Sequence, residues 1–179
     1  KRALSDARLN AVYETIQSWR YSADADSVAM TIAHFYGLQV LRNEVTVVGR
    51  DEKGALESFA ATASDDQQIR VLNAVLDDLV ERYGLWNLPW GEVNRLQRLT
   101  GDIVEPHSDD QESLPVGLAS GRWGALASYG SKRFEGTQKL YGYSGNSFVA
   151  VVEFGDRVRA KTMLAGGQAS DPQSPHFFD

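Results

Sequence analysis

The stretch SFVAVVEFGDRVRAKTML, residues 147–164, decides how the C-terminal part of the chain folds. Side chains of extended backbone point alternately to opposite faces, so Phe148, Ala150, Val152 and Phe154 share one side of a strand. Val158, Ala160, Thr162 and Leu164 share a side of a returning strand, with Gly155-Asp156 between them as a two-residue turn. The reading is an antiparallel β-hairpin. Its first strand is apolar on both faces except at Glu153, which predicts burial inside a layered structure. Arg157, Arg159 and Lys161 alternate, which puts them on the wet face of the second strand rather than along a phosphate track.

Upstream of residue 84 the period changes from two to that of a helix. Ser64 and Gln67 form an S-x-x-Q capping box. Ile69, Leu72, Leu76, Leu79 and Tyr83 then make one apolar stripe, and Gly84 suits the left-handed position that closes a helix. Earlier still, Leu9, Val12, Ile16 and Trp19 fall on one helix face. Ser22, Asp24 and Asp26 are candidate N-caps for a second helix carrying Ala29, Ile32, Ala33, Tyr36 and Val40 on one side. A polar, glycine-containing connection is expected from Val48 to Gly54.

Three parts follow: residues 1–84 mainly helical, 85–146 loop-rich with short strands, and 147–179 a hairpin with a terminal loop pinned by Pro172 and Pro175. The fold class is α+β in one segment. A net charge of −6 argues against a general nucleic-acid binder, which needs a basic face. The chain has no cysteine, which excludes disulfides, thiolate zinc sites and cysteine nucleophiles. No apolar run approaches the roughly 18–20 residues of a membrane span. The first residue is not Met, and the last, Asp179, closely follows a motif, so both ends are expected to be cuts in a longer protein.

Local chemistry does not select a site. His34 sits inside an expected helix beside Phe35 and Tyr36, where packing is the simpler role. His107 lies among Glu105, Ser108, Asp109, Asp110 and Glu112, but without the spacing of a calcium loop, so a solvated acidic loop is expected. Ser174, His176 and Asp179 offer a hydroxyl, a base and an acid. Triad members normally converge from distant parts of a chain, so these three are read as bonding within their own loop. Gly142-Tyr143-Ser144-Gly145 lacks the rest of any nucleotide motif. Trp19, Trp86, Trp90 and Trp123 are read as packing anchors.

Three segments, in order, carry a resemblance. The first is Trp19 to Phe35. The second is Leu88-Pro89-Trp90-Gly91-Glu92-Val93-Asn94-Arg95-Leu96, which is similar to a P-W-G-x-V-x-R stretch. The third runs from Gly145-Asn146-Ser147-Phe148 through the hairpin to Gly166-Gly167-Gln168-Ala169-Ser170-Asp171-Pro172-Gln173-Ser174-Pro175-His176-Phe177. Together they resemble the C-terminal part of the β-subunit of penicillin acylase-type enzymes, which include penicillin, cephalosporin and acyl-homoserine-lactone acylases.

The resemblance implies part of an N-terminal-nucleophile hydrolase with stacked α, β, β and α layers, matured by self-cleavage and commonly exported to the periplasm or beyond the cell. In such enzymes the first residue of the β-subunit is the nucleophile, and its own α-amine is the base. Lys1 cannot be that residue, so no position here inherits a catalytic role, and no cofactor or metal is expected. The implied partners are the α-subunit and the N-terminal part of the β-subunit, with neither nucleic acid nor membrane. The alternative is a stand-alone, non-catalytic binding module of the same descent.

Overall fold

The computed structural model describes residues 6–100, 104, 106–164, 171 and 173–175. Four helices fill the N-terminal half: α1 (Ala7–Gln17), α2 (Val28–Asn43), α3 (Glu52–Thr62) and α4 (Asp65–Tyr83). Each start has a side-chain cap, because the first backbone N–H groups of a helix lack intrahelical acceptors. Asp6 accepts from the N–H groups of Arg8 and Leu9, Ser27 from Met30, Asp51 from Gly54, and Ser64 from Gln67.

Three of these starts and stops differ from expectation. α1 ends at Gln17, so Trp19 leaves the helical stripe and its indole N–H donates instead to Ser22 O at 2.8 Å. The cap of α2 is Ser27, not Ser22, Asp24 or Asp26. The reason is tertiary: the Ala25 and Ser27 carbonyls accept from the N–H groups of Gly91 and Trp90, which holds this segment out of the helix. The polar connection after α2 stops at Asp51, because that carboxylate caps α3 and draws Lys53 and Gly54 into its first turn.

α4 matches its expectation closely. Leu76 and Leu79 are fully buried, and Gly84 closes the helix at φ 80°. Only half of the capping box forms, since the Gln67 side-chain amide donates to Glu44 Oε2 at 3.1 Å. Ser64→Ala is expected to cost about 1 kcal/mol, read as a lower urea midpoint at unchanged m.

The helices pack through two apolar clusters. Leu9, Val12, Ile32 and Leu76 join α1, α2 and α4, and Val40, Phe59 and Val71 join α2, α3 and α4. Beyond α4, a one-turn helix α5 (Trp90–Val93) leads into β1 (Asn94–Leu96), followed by β2 (Leu114–Pro115), β3 (Tyr129–Lys132) and β4 (Leu140–Gly145). These strands form one sheet in the order β2-β1-β4-β3, with β1 and β4 parallel and the other pairs antiparallel. A third cluster, Met30, Trp90, Val93, Ala119 and Leu140, fastens α2 to this sheet through α5.

The hairpin forms as a separate sheet of β5 (Phe148–Glu153) and β6 (Arg159–Leu164). Phe148 opposes Leu164, Ala150 opposes Thr162 and Val152 opposes Ala160, so the apolar sets of the two strands lie on one face. The turn is longer than expected. Glu153–Arg159 is the last pair, which leaves residues 154–158 as the loop. Two-residue hairpin turns need positive φ at their centre, and Gly155 does not adopt it. Arg157 therefore lies in the loop rather than on the strand face with Arg159 and Lys161. The expected burial is also not met among the described residues: Val151 is 70% exposed, Met163 62% and Phe148 54%. Helices followed by two sheets make the chain α+β, as the sequence indicated.

Candidate functional site

Polar and aromatic side chains converge where α5 enters β1. Trp90 is 1% exposed, and its indole N–H donates to Leu118 O at 2.9 Å. Gly91 sits so close to the 23–27 segment that an added Cβ would lie 2.9 Å from Ala25 Cβ and 2.8 Å from Pro115 Cβ. A Cβ added at Gly117 would likewise lie 2.8 Å from Ala25 N. The backbone at Ala25 is thus held against two glycines, and only the absence of a side chain at each permits this approach.

Asn94, fully buried, bonds to two other segments. Its amide donates to Val116 O and Leu118 O at 2.9 and 3.0 Å, and its Oδ1 accepts from the Ser131 hydroxyl at 2.6 Å. Arg95 donates to Gly91 O at 2.7 Å, to Ser113 Oγ at 3.0 Å and to Ser113 O. The Gln97 amide donates to the carbonyls of Ser108, Gln111 and Glu112, while its oxygen accepts from Ser108 N. Buried polar groups are retained where each finds a partner, and here they tie residues 108–118 to the sheet. All three side chains are engaged with backbone or hydroxyl groups. The arrangement is a brace.

His34 packs into the same region from α2. Its ring lies 4.7 Å from Trp90 and 5.7 Å from Trp123, and Trp123 Nε1–H donates to His34 Nδ1 at 3.0 Å. An indole N–H only donates, so Nδ1 is unprotonated and the neutral ring carries its proton on Nε2. Burial lowers the His34 pKa from 6.5 to about 4, and the Arg122 and Arg42 guanidiniums push it the same way. His34 is thus a neutral, packed histidine.

His107 stacks on Tyr141 with ring centroids 4.9 Å apart and planes 7° apart, and it also meets Phe134 at 4.1 Å. Asp109, in the acidic loop, accepts from the Tyr141 hydroxyl at 2.8 Å and from the N–H groups of Gln138 and Lys139. Burial, with Asp109 alongside, pushes the Tyr141 phenol well above its usual value. Among the described residues, no three His, Asp or Glu side chains converge as a metal site.

The C-terminal trio is only partly visible, since His176 and Asp179 lie outside the described residues. Glu105 of the acidic cluster lies outside them too. Asp171 accepts from Ser174 N at 3.0 Å through its backbone O and from Gln173 N at 2.9 Å through its Oδ1. Gly142-Tyr143-Ser144-Gly145 is simply part of β4.

The roles of Asn94, Arg95 and Gln97 were not visible in the sequence. Their only local signal is a run of mostly polar residues directly after an apolar turn; apart from Gly91 O, which Arg95 reaches four residues back, their acceptors lie more than ten residues further along the chain.

A family model described as penicillin amidase matches residues 2–179. Among curated proteins, nothing matches the chain.

Proposed function

This chain belongs to the penicillin amidase family, and we propose that it is the scaffolding C-terminal portion of an acylase that cleaves an acyl-amide bond to a carboxylic acid and an amine. In this reading the nucleophile is supplied by another part of the same protein. There an N-terminal residue attacks the amide carbonyl, its α-amine takes the proton, and backbone donors hold the oxyanion. That intermediate collapses with cleavage of the C–N bond, the α-ammonium passing its proton to the departing amine, and water then releases the acid from the acyl-enzyme. The residues described above position the framework rather than touch the substrate.

The observation that carries this reading is the hairpin. Its face of Phe148, Ala150, Val152, Ala160, Thr162 and Leu164 is largely apolar and open, as is the loop residue Phe154 at 84% exposure. Apolar surface left in water forgoes roughly 25 cal/mol per Å2, and an uncovered strand pair invites pairing with another chain. A face of this kind fits one layer of a larger stack, with the α-subunit and the N-terminal part of the β-subunit as the partners that cover it. Family membership also supports export to the periplasm or the cell exterior. Among the described residues, no helix is long and apolar enough to cross a membrane.

Val152→Lys tests the packing. In residues 1–179 alone, a charge at this open position is expected to change stability by less than about 0.5 kcal/mol. In the complete gene product, burying that ammonium is expected to cost about 2 kcal/mol or more, seen as a lower denaturation midpoint. Equal, small effects in both would show that nothing covers the face.

A further inference from the structure

A cavity of about 380 Å3 lies between α2, the helical turn Gly121–Trp123 and the edge strand β3. His34, Leu38 and Arg42 follow one another at four-residue intervals and so present one face of α2 to it. Arg122 enters from the helical turn, Lys132 from the end of β3, and Arg133 from the residue after it. Among the described residues that line the cavity, four are cationic and none is acidic. That bias runs against the chain as a whole, whose net charge is −6.

The charges are only partly compensated. Glu52, which does not line the cavity, pairs with Arg122 at 2.7 Å. The Lys132 ammonium lies 5.0 Å from the Phe134 ring and 5.2 Å from the Tyr143 ring, a cation–π arrangement that holds the head group without neutralising it. The field is felt at the cavity wall, because Arg122 and Arg42 both disfavour a proton on His34. A concave site with low-dielectric walls and one sign of charge concentrates counter-ions. Its volume falls in the range of small-molecule pockets.

We propose that this cavity binds a small organic anion, a carboxylate or a phosphate monoester. Its charged head lies among Arg42, Arg122 and Lys132, and its apolar body lies against Phe35, Leu38 and Tyr143. Guanidinium forks suit both oxyanions, since two parallel N–H groups match two oxygens. The aromatic and leucine side chains favour an organic ligand over a bare inorganic ion. This inference stands apart from the acylase reading, because its readout is binding rather than turnover.

Calorimetric titration of the complete protein with benzoate and with phenyl phosphate tests it, with benzyl alcohol as the neutral control. The two anions are expected to give saturable binding, weaker at higher salt, and to show which oxyanion is preferred; benzyl alcohol is expected to give none. Arg42→Gln and Lys132→Gln each remove a charged donor and are expected to weaken binding about tenfold. Both side chains are exposed, so folding is retained; an unchanged melting temperature verifies this for each variant separately. Lys53→Gln, a surface cation outside the cavity, is expected to leave affinity unchanged. The proposal is overturned by no saturation below about 10 mM, the outcome also given by a cavity already filled by an acidic side chain of the remaining protein. Benzyl alcohol binding as well as the anions, or full affinity in both variants, overturns it equally.

Discussion

Trp90→Ala is expected to lower the unfolding free energy by about 3–5 kcal/mol, the usual range for emptying a buried aromatic site. Trp90 is 1% exposed and stands among Met30, Val93, Ala119 and Leu140, with the His34 ring 4.7 Å away. These neighbours belong to α2, α5, β4 and the 116–120 connection after β2, so the helical half and the sheet lose their common contact together. The lost hydrogen bond matters less than the lost volume. Leu118 O keeps a second donor, because the Asn94 amide reaches it at 3.0 Å. Leu126→Ala, at a position 96% exposed, serves as the control and is expected to change stability by under about 0.5 kcal/mol. Urea denaturation followed by circular dichroism measures both; equal midpoint shifts would mean that Trp90 does not fasten the two halves.

The second large effect is on pH. The folded pKa of His34, about 4, lies below the 6.5 of the unfolded chain, so the unfolded state takes up this proton first as pH falls. Stability from this group is therefore complete above about pH 6.5, declines as pH drops from there to about 4, and levels off below. The full change is about 3 kcal/mol, an order-of-magnitude figure. His34→Gln keeps an acceptor for the Trp123 indole N–H while removing the titration. Denaturation midpoints across pH 4–7 are expected to rise more steeply in the natural chain than in this variant. Parallel curves would show that burial does not hold His34 neutral.

What the sequence revealed about the fold depended on how local the cause was. α4 was legible because Ser64, the apolar stripe and Gly84 act within one helix. The make-up of each strand face was legible because a period of two fixes which residues of one strand share a side. The pairing was not: a Gly155-Asp156 turn would set Phe148 against Met163, whereas the 154–158 loop sets it against Leu164. The start of α2 was not. Ser22, Asp24, Asp26 and Ser27 are all competent caps, and the choice among them is made by Gly91 and Trp90, far along the chain. α3 went unread because Gly54 resembled part of a connection, whereas Asp51 caps a helix through it.

The site was less legible than the fold for the same reason. His34 meets Trp123 across 89 residues, and no local pattern announces that pairing. Arg42 is far in sequence from Arg122, Lys132 and Arg133, and only the packing of the Gly121–Trp123 turn and β3 against α2 brings them to one cavity. The P-W-G-x-V-x-R resemblance did direct attention to Trp90, Gly91 and Arg95, which the structure shows as a brace between segments.

Release of free amine from N-acyl amides, by the complete gene product and by residues 1–179 alone, tests the central claim most directly. The complete protein is expected to cleave and the 179-residue chain to release none, because the scaffold reading places the nucleophile elsewhere in the protein. Turnover by the 179-residue chain alone, abolished by His176→Ala, would contradict it.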